Sequence, residues 1–189
     1  VSELKKQSNE SRKLILKMLT QAGNGHPGGS LSAIDIVTTL FFDEMNVNPK
    51  DPMSPDRDRF VLSKGHAVPA LYATLAHRGY FTPESTMALR QLGSVYQGHP
   101  DRVRLPIVEA STGSLGQGLS VAQGMAMSAK LDKKPLRVYS LIGDGETQEG
   151  QVWECAMSAA KYQLGNLCVF LDYNKFQIDG AVKDVMDLE

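Results

Sequence analysis

Two short apolar runs, one closing on Gly143-Asp144-Gly145 and the other on Asn174, bracket a segment of helical periodicity, and this constrains the fold more than any other feature of the chain. Leu136, Val138, Tyr139, Leu141 and Ile142 make the first run, and Leu167 to Leu171 the second. Each reads as a buried strand, and the stretch from about Glu149 to Gln163 reads as an amphipathic helix. Strand, helix, strand is a βαβ unit, so the expected class is α/β. In open sheets of this kind, residues at the carboxyl ends of the strands meet ligands. Asp144 and Asn174 both leave such ends.

A hard divalent cation such as Mg²⁺ takes oxygen ligands in an octahedron and keeps positions for water and phosphate. Asp144 offers an anionic oxygen, Asn174 a neutral one, and the backbone carbonyl of Phe176 a third. Gly143 and Gly145 are expected to adopt positive φ and to let the main chain approach a phosphate. The helix that follows would add N-terminal N–H groups near the anion. The plain alternative is that Asp-Gly and Asn-Lys are ordinary turns after strands.

A chain of 189 residues, 42% hydrophobic and 22% charged, fits one globular domain with a sizeable core. A net charge of −1 without a basic stripe gives no reason to expect nucleic acid or membrane as partner. No spanning segment or leader is read, so the cytoplasm is the expected location. Cys155 in a helix and Cys168 in a buried strand lack metal-like spacing, and no disulfide is expected.

Leu14, Ile15, Met18, Leu19 and Ala22 recur at helical spacing until Gly23 stops the helix. After a glycine-rich loop, Ser30 reads as the N-cap of a helix carrying Ile34, Val37, Leu40 and Phe41. Phe60 to Leu62 reads as a short strand, and the stretch to Arg78 as helix. A short helix from Pro83 to Leu92 and an irregular segment around His99 make a connection long enough to carry function. Gly116 to Leu131, rich in small residues, reads as a helix suited to close packing, for example where two protomers meet.

Gly143-Asp144-Gly145 with Asn174 resembles the cofactor motif of the thiamine diphosphate-dependent enzymes. Gly25-His26-Pro27-Gly28-Gly29, Ser63-Lys64-Gly65-His66-Ala67, Gly98-His99-Pro100 and Thr112 to Gly118 narrow the resemblance to the transketolase family, in the order that family shows. It implies a central, mostly parallel sheet with helices on both faces, incomplete at its C-terminal end. It also implies that residues 1–189 form a diphosphate-binding domain whose pyrimidine-binding and C-terminal domains lie elsewhere, so that a C-terminal transketolase subunit is the expected partner and a homodimer of such pairs the expected assembly. Beginning at Val1 and ending at Glu189 suggests truncation.

The resemblance carries roles with it. Thiamine diphosphate would be held through Mg²⁺ or Ca²⁺ on Asp144, Asn174 and Phe176, with Gly143 and Gly145 at the diphosphate. His66 would contact the diphosphate, and Gly113 and Leu115 the aminopyrimidine ring, while Ser114 stands where many members have Pro. His26 and His99 would be catalytic, handling protons on the hydroxyls of a sugar phosphate, as suits imidazole near neutrality. Glu149 and Glu154 would couple the two active sites of a dimer, or simply complement a helix dipole in its first turn. The reaction implied is transfer of a two-carbon ketol unit from a ketose phosphate to an aldose phosphate. Rival readings are a deoxyxylulose phosphate synthase-like enzyme, a cofactor-holding subunit without turnover, and a nucleotide-binding doubly wound domain, which the lack of Gly-x-Gly-x-x-Gly disfavours.

Overall fold

The computed structural model describes residues 1–178 and 180–187. The chain divides into two compact units, one of Val1–Arg57 with His66–Ser111 and one of Asp58–Gly65 with Thr112–Glu189.

The first unit is helical. Helix α1 (Ser2–Ala22) ends where Gly23 turns left-handed and its N–H reaches back to Leu19 and Thr20. Helix α2 (Pro27–Thr39) runs into a single π turn at Leu40–Glu44, and α3 (Val68–Arg78) is closed by Gly79. The three helices pack on one another through Ile15 and Met18 of α1, Ile34 and Val37 of α2, and Leu71 and Leu75 of α3, all buried. Burying each such side chain contributes about 1.5–3 kcal/mol. An exposed pair such as Lys13 with Glu10 is screened by solvent and adds little, so the apolar seam decides stability.

Helix α2 begins three residues before the expected cap. Pro27 opens it because its fixed φ suits the first turn and its missing N–H needs no partner there. Ser30 lies inside the helix, its hydroxyl donating to the carbonyl of His26, 3.0 Å away. The expected helix from Pro83 to Leu92 is a 3₁₀ turn at Pro83–Ala88, capped by the Thr82 hydroxyl. It stops there because Leu89 leaves helical ψ and Arg90 turns left-handed.

The second unit carries the sheet. Strands β1 (Arg59–Leu62), β2 (Val138–Gly143) and β3 (Leu167–Asp172) are parallel in the order β1-β2-β3, with Leu62 opposite Leu141 and Gly143 opposite Asp172. The fold is thus α/β with a parallel sheet. Helix α4 (Gln117–Leu131) packs on these strands through Leu119, Ala122 and Ala126. Its small residues serve this approach: a Cβ at Gly118 would lie 2.6 Å from the Ser63 backbone. Leu119, Ile142, Val152 and Cys155 join α4, β2 and α5 (Gly150–Lys161) in one cluster. A short hairpin, β4 (Phe176–Gln177) and β5 (Gly180–Ala181), leads to the single turn α6 (Val182–Val185).

Strand β3 departs from the expectation of full burial. Val169 and Leu171, two apart and so on one face of the strand, are 42% and 46% exposed, and Cys168 is half-buried. Both cysteines are free thiols.

Candidate active site

The strand ends of the second unit hold a concentration of buried charge. Asp144, the first residue beyond β2, is only 2% exposed. Its Oδ1 accepts the N–H of Gly145 at 2.9 Å, and its Oδ2 accepts the N–H of Lys175 at 2.6 Å. Asn174 stands on the same turn, its Oδ1 accepting the N–H of Phe176 at 2.9 Å. Lys175 takes a left-handed φ of 68° in this turn. The structure therefore brings Asp144, Asn174 and Phe176 to one place from the ends of two neighbouring strands. Among the described residues no cation pairs with the Asp144 carboxylate. A buried carboxylate with no paired side-chain cation among the described residues, next to a turn that carries an amide oxygen, offers oxygen donors of the kind a hard divalent ion takes.

The flanking glycines work differently from the expectation. Neither Gly143 nor Gly145 has a positive φ. At Gly145 the requirement is space, since a Cβ would come 2.8 Å from the side chain of Gln177. At Gly143 it would meet Lys64 only at ordinary contact, 3.7 Å.

Three further buried groups were not legible as site residues. Lys64, just past β1, donates from Nζ to Asp172 Oδ2 at 2.6 Å, with both side chains almost wholly buried. Asp172 in turn ties to Asp144 through its own carbonyl, which accepts the Asp144 N–H. Glu146, 2% exposed, accepts from the Ser63 hydroxyl, from the Gly116 N–H at 2.8 Å and from the Gly143 N–H at 3.0 Å. One carboxylate thus gathers the end of β1, the end of β2 and the loop before α4. Charged residues closing apolar runs were the available signal for Lys64 and Asp172. Nothing local marked Glu146, whose partners all lie in other segments except Gly143.

That loop contains Gly113 and Leu115. Gly113 has φ 140° and Gly116 φ 81°, conformations that favour glycine. Gly65 lies directly on it, for a Cβ there would fall 2.8 Å from the backbone of Thr112 and Gly113. The Thr112 hydroxyl donates to the Leu62 carbonyl at 2.7 Å, and the Leu115 carbonyl accepts from the Gln151 side chain. Ser114 is exposed. Glu149 is the exposed N-cap residue of α5, and Glu154 lies beyond its first turn, so the dipole account covers Glu149 alone.

In the helical unit, His26, His66 and His99 come together. The His26 ring lies 5.4 Å from that of His66 and 6.1 Å from that of His99, centroid to centroid. His26 sits at the N-cap of α2 and His66 in the 3₁₀ turn Gly65–Ala67 before α3. His99 is delivered by a structured loop: Tyr72, Tyr96 and Phe81 stack edge to face, and the Tyr72 hydroxyl donates to the Gln97 carbonyl at 3.2 Å. Burial pushes the Tyr72 hydroxyl far above its ordinary pKa, so it remains a donor. The far end of the loop is tied by a buried ion pair of Arg57 with Glu109. Desolvation, and then the charge of Arg90, lowers the pKa of His26. Desolvation, then His26 and Arg90, lowers that of His99. Both imidazoles are thereby held neutral near pH 7, able to accept or relay a proton.

A family model described as transketolase, thiamine diphosphate binding domain, matches residues 4–189. The chain belongs to the transketolase family. It is 46% identical over 189 residues to an apulose-4-phosphate transketolase subunit of Phocaeicola vulgatus, covering all of this chain and 67% of that protein. It is 46% identical over 187 residues to the 6-deoxy-6-sulfo-D-fructose transketolase subunit SqwG of a Clostridium species, covering 68% of it. Against the human transketolase it is 45% identical over 173 residues but spans only 28% of that protein. The solved transketolase of Campylobacter jejuni superposes with a TM-score of 0.91 at 36% identity, over 99% of this chain and 30% of that one. That of Leishmania mexicana gives 0.92 at 33% identity, over 98% and 29%. The chain is thus an N-terminal transketolase portion, spanning two thirds of the subunit-type relatives and under a third of the single-chain transketolases. Among the described residues no helix is long and apolar enough to cross a membrane.

Proposed function

We propose that the chain is the cofactor-holding part of a transketolase that moves a two-carbon ketol unit from a ketose phosphate to an aldose phosphate, with a second polypeptide supplying the pyrimidine-binding and C-terminal domains. The observation that carries this reading is the convergence of Asp144 and Asn174 on one turn within a chain of this family. Asp144, Asn174 and the Phe176 carbonyl would hold Mg²⁺, with His66, Gly143 and Gly145 at the diphosphate and Gly113 and Leu115 at the aminopyrimidine. Bound thiamine diphosphate supplies the nucleophilic carbon and the electron sink. His26 and His99 orient the donor's first hydroxyls and move protons there, which their neutral state at pH 7 permits. Two such pairs would form a homodimer, with Glu149 and Glu154 between its sites.

Relatives named for apulose 4-phosphate and for 6-deoxy-6-sulfo-D-fructose favour a second reading of the substrate, in which the ketose differs from those of the human enzyme. A coupled assay of the chain mixed with its candidate partner, across several ketose phosphates and pyruvate, separates these possibilities. Ketol transfer is expected. Turnover with pyruvate alone would favour the deoxyxylulose phosphate synthase reading, and none with any donor a non-catalytic role. His99→Ala is expected to lower turnover by about 10²–10⁴-fold while leaving cofactor affinity nearly intact. Turnover near that of the parent would reject its catalytic role.

A further inference from the structure

Arg90 joins a left-handed turn conformation to a position beside two histidine-bearing loops. Its backbone is left-handed at φ 60° because Arg90 is the third residue of a turn closed by the Gln91 N–H on the Ala88 carbonyl at 3.2 Å, and its own N–H donates to the Tyr96 carbonyl at 2.9 Å. The guanidinium lies against Gly98, where a Cβ would come 2.6 Å from its Cζ, and its Nε would lie 3.8 Å from a Cβ at Gly25. These two glycines immediately precede His99 and His26. Among the described residues the guanidinium has neither a carboxylate nor a hydrogen-bond acceptor.

We propose that Arg90 is a positioning residue for His26 and His99: one guanidinium, wedged against Gly98 and in ordinary contact with Gly25, spans the two loops and places an uncompensated positive charge beside both rings. A side chain at Gly98 would displace the wedge, which explains that glycine where its own backbone does not demand one, whereas at Gly25 the guanidinium is at ordinary contact and the side chain a Cβ would strike is that of Leu19. The groups facing His26 are His66, His99 and Arg90, and those facing His99 are His26 and Arg90. Asp101, two residues beyond His99, is turned to the N–H groups of Val103 and Arg104 and to the Arg104 guanidinium. Among the described residues no acid therefore offsets Arg90, and its field opposes protonation of both imidazoles. The inference rests on the proposed proton-handling role of these histidines only for its consequence in turnover.

Histidine-labelled full chain, titrated by NMR from about pH 5 to 8, tests it, and with His77 in α3 as internal reference each ring can be followed. In Arg90→Met, which keeps reach but loses charge, the midpoints of His26 and His99 are expected to move up while His77 stays put. In Arg90→Lys they are expected to stay close to the parent. Gly98→Ala, in which the new methyl displaces the guanidinium, is expected to raise His99 alone or both, and serves equally should the methionine variant fold poorly. Unchanged midpoints in both variants, or an equal movement of His77, would overturn the proposal. If the midpoints rise but the acid limb of turnover in the reconstituted enzyme does not follow, the histidines' role in the reaction fails and the positioning role stands.

Discussion

Lys64 and Asp172 face each other out of water, and that burial sets the cost of altering either. Replacing Lys64 by Met strips the ammonium from a carboxylate that has almost no access to solvent. Breaking such a pair from one side costs about 3–5 kcal/mol, whereas replacing both partners by apolar groups is often near neutral. Urea denaturation is expected to show a large loss for Lys64→Met, much of it recovered in the double variant with Asp172→Leu. Gly65→Ala is a purely steric case: its methyl would meet the Thr112–Gly113 backbone at 2.8 Å, and backbone yields less readily than a side-chain tip. We expect a loss of about 1–3 kcal/mol, read from the same denaturation curves. Asp144 and Asn174 were legible as polar residues closing apolar runs, and the structure sets Asp144 against the turn that bears Asn174. Lys64, Glu146 and Arg90 were not legible, because what defines them is a partner or a gap supplied by distant segments.

At the level of elements, the strands and long helices were legible because their apolar spacing is set by the same burial that forms them. Boundaries were harder to read where short-range geometry competes, as at Pro27, where the ring opens α2 early, and at Arg90, where a left-handed residue ends the 3₁₀ turn. The exposed side of β3 was not written in its apolar run, which does not say which face of a strand is covered, though a sheet incomplete at its C-terminal end is consistent with it. The loops bearing His26 and His99 carry a pH dependence of their own. Both rings titrate below the ordinary histidine value of 6.5 in the folded chain. Between the folded and unfolded values the unfolded chain binds more protons, so stability is full above about 6.5 and declines as pH falls through the folded values. Urea midpoints near pH 7.5 and 5.5 are expected to differ by more in the parent than in Arg90→Met, whose rings are less perturbed.

For the whole molecule, the test of greatest reach is ligand linkage. A ligand that binds only the folded state stabilises it by about 2.7 kcal/mol at a hundred times its dissociation constant. Thiamine diphosphate with Mg²⁺ is expected to raise the melting temperature, EDTA to cancel the gain, and Asp144→Ala to abolish the metal-dependent part without lowering the unliganded melt to the same degree. An equal gain in Asp144→Ala would remove that carboxylate from the cation site. The Glu146 contacts bear on anyone who builds chimeras from these enzymes. A carboxylate shared among Ser63, Gly116 and Gly143 makes three distant stretches inherit as one, so a transplanted 112–116 loop should function only when its donor's counterparts of Ser63 and of 143–146 travel with it.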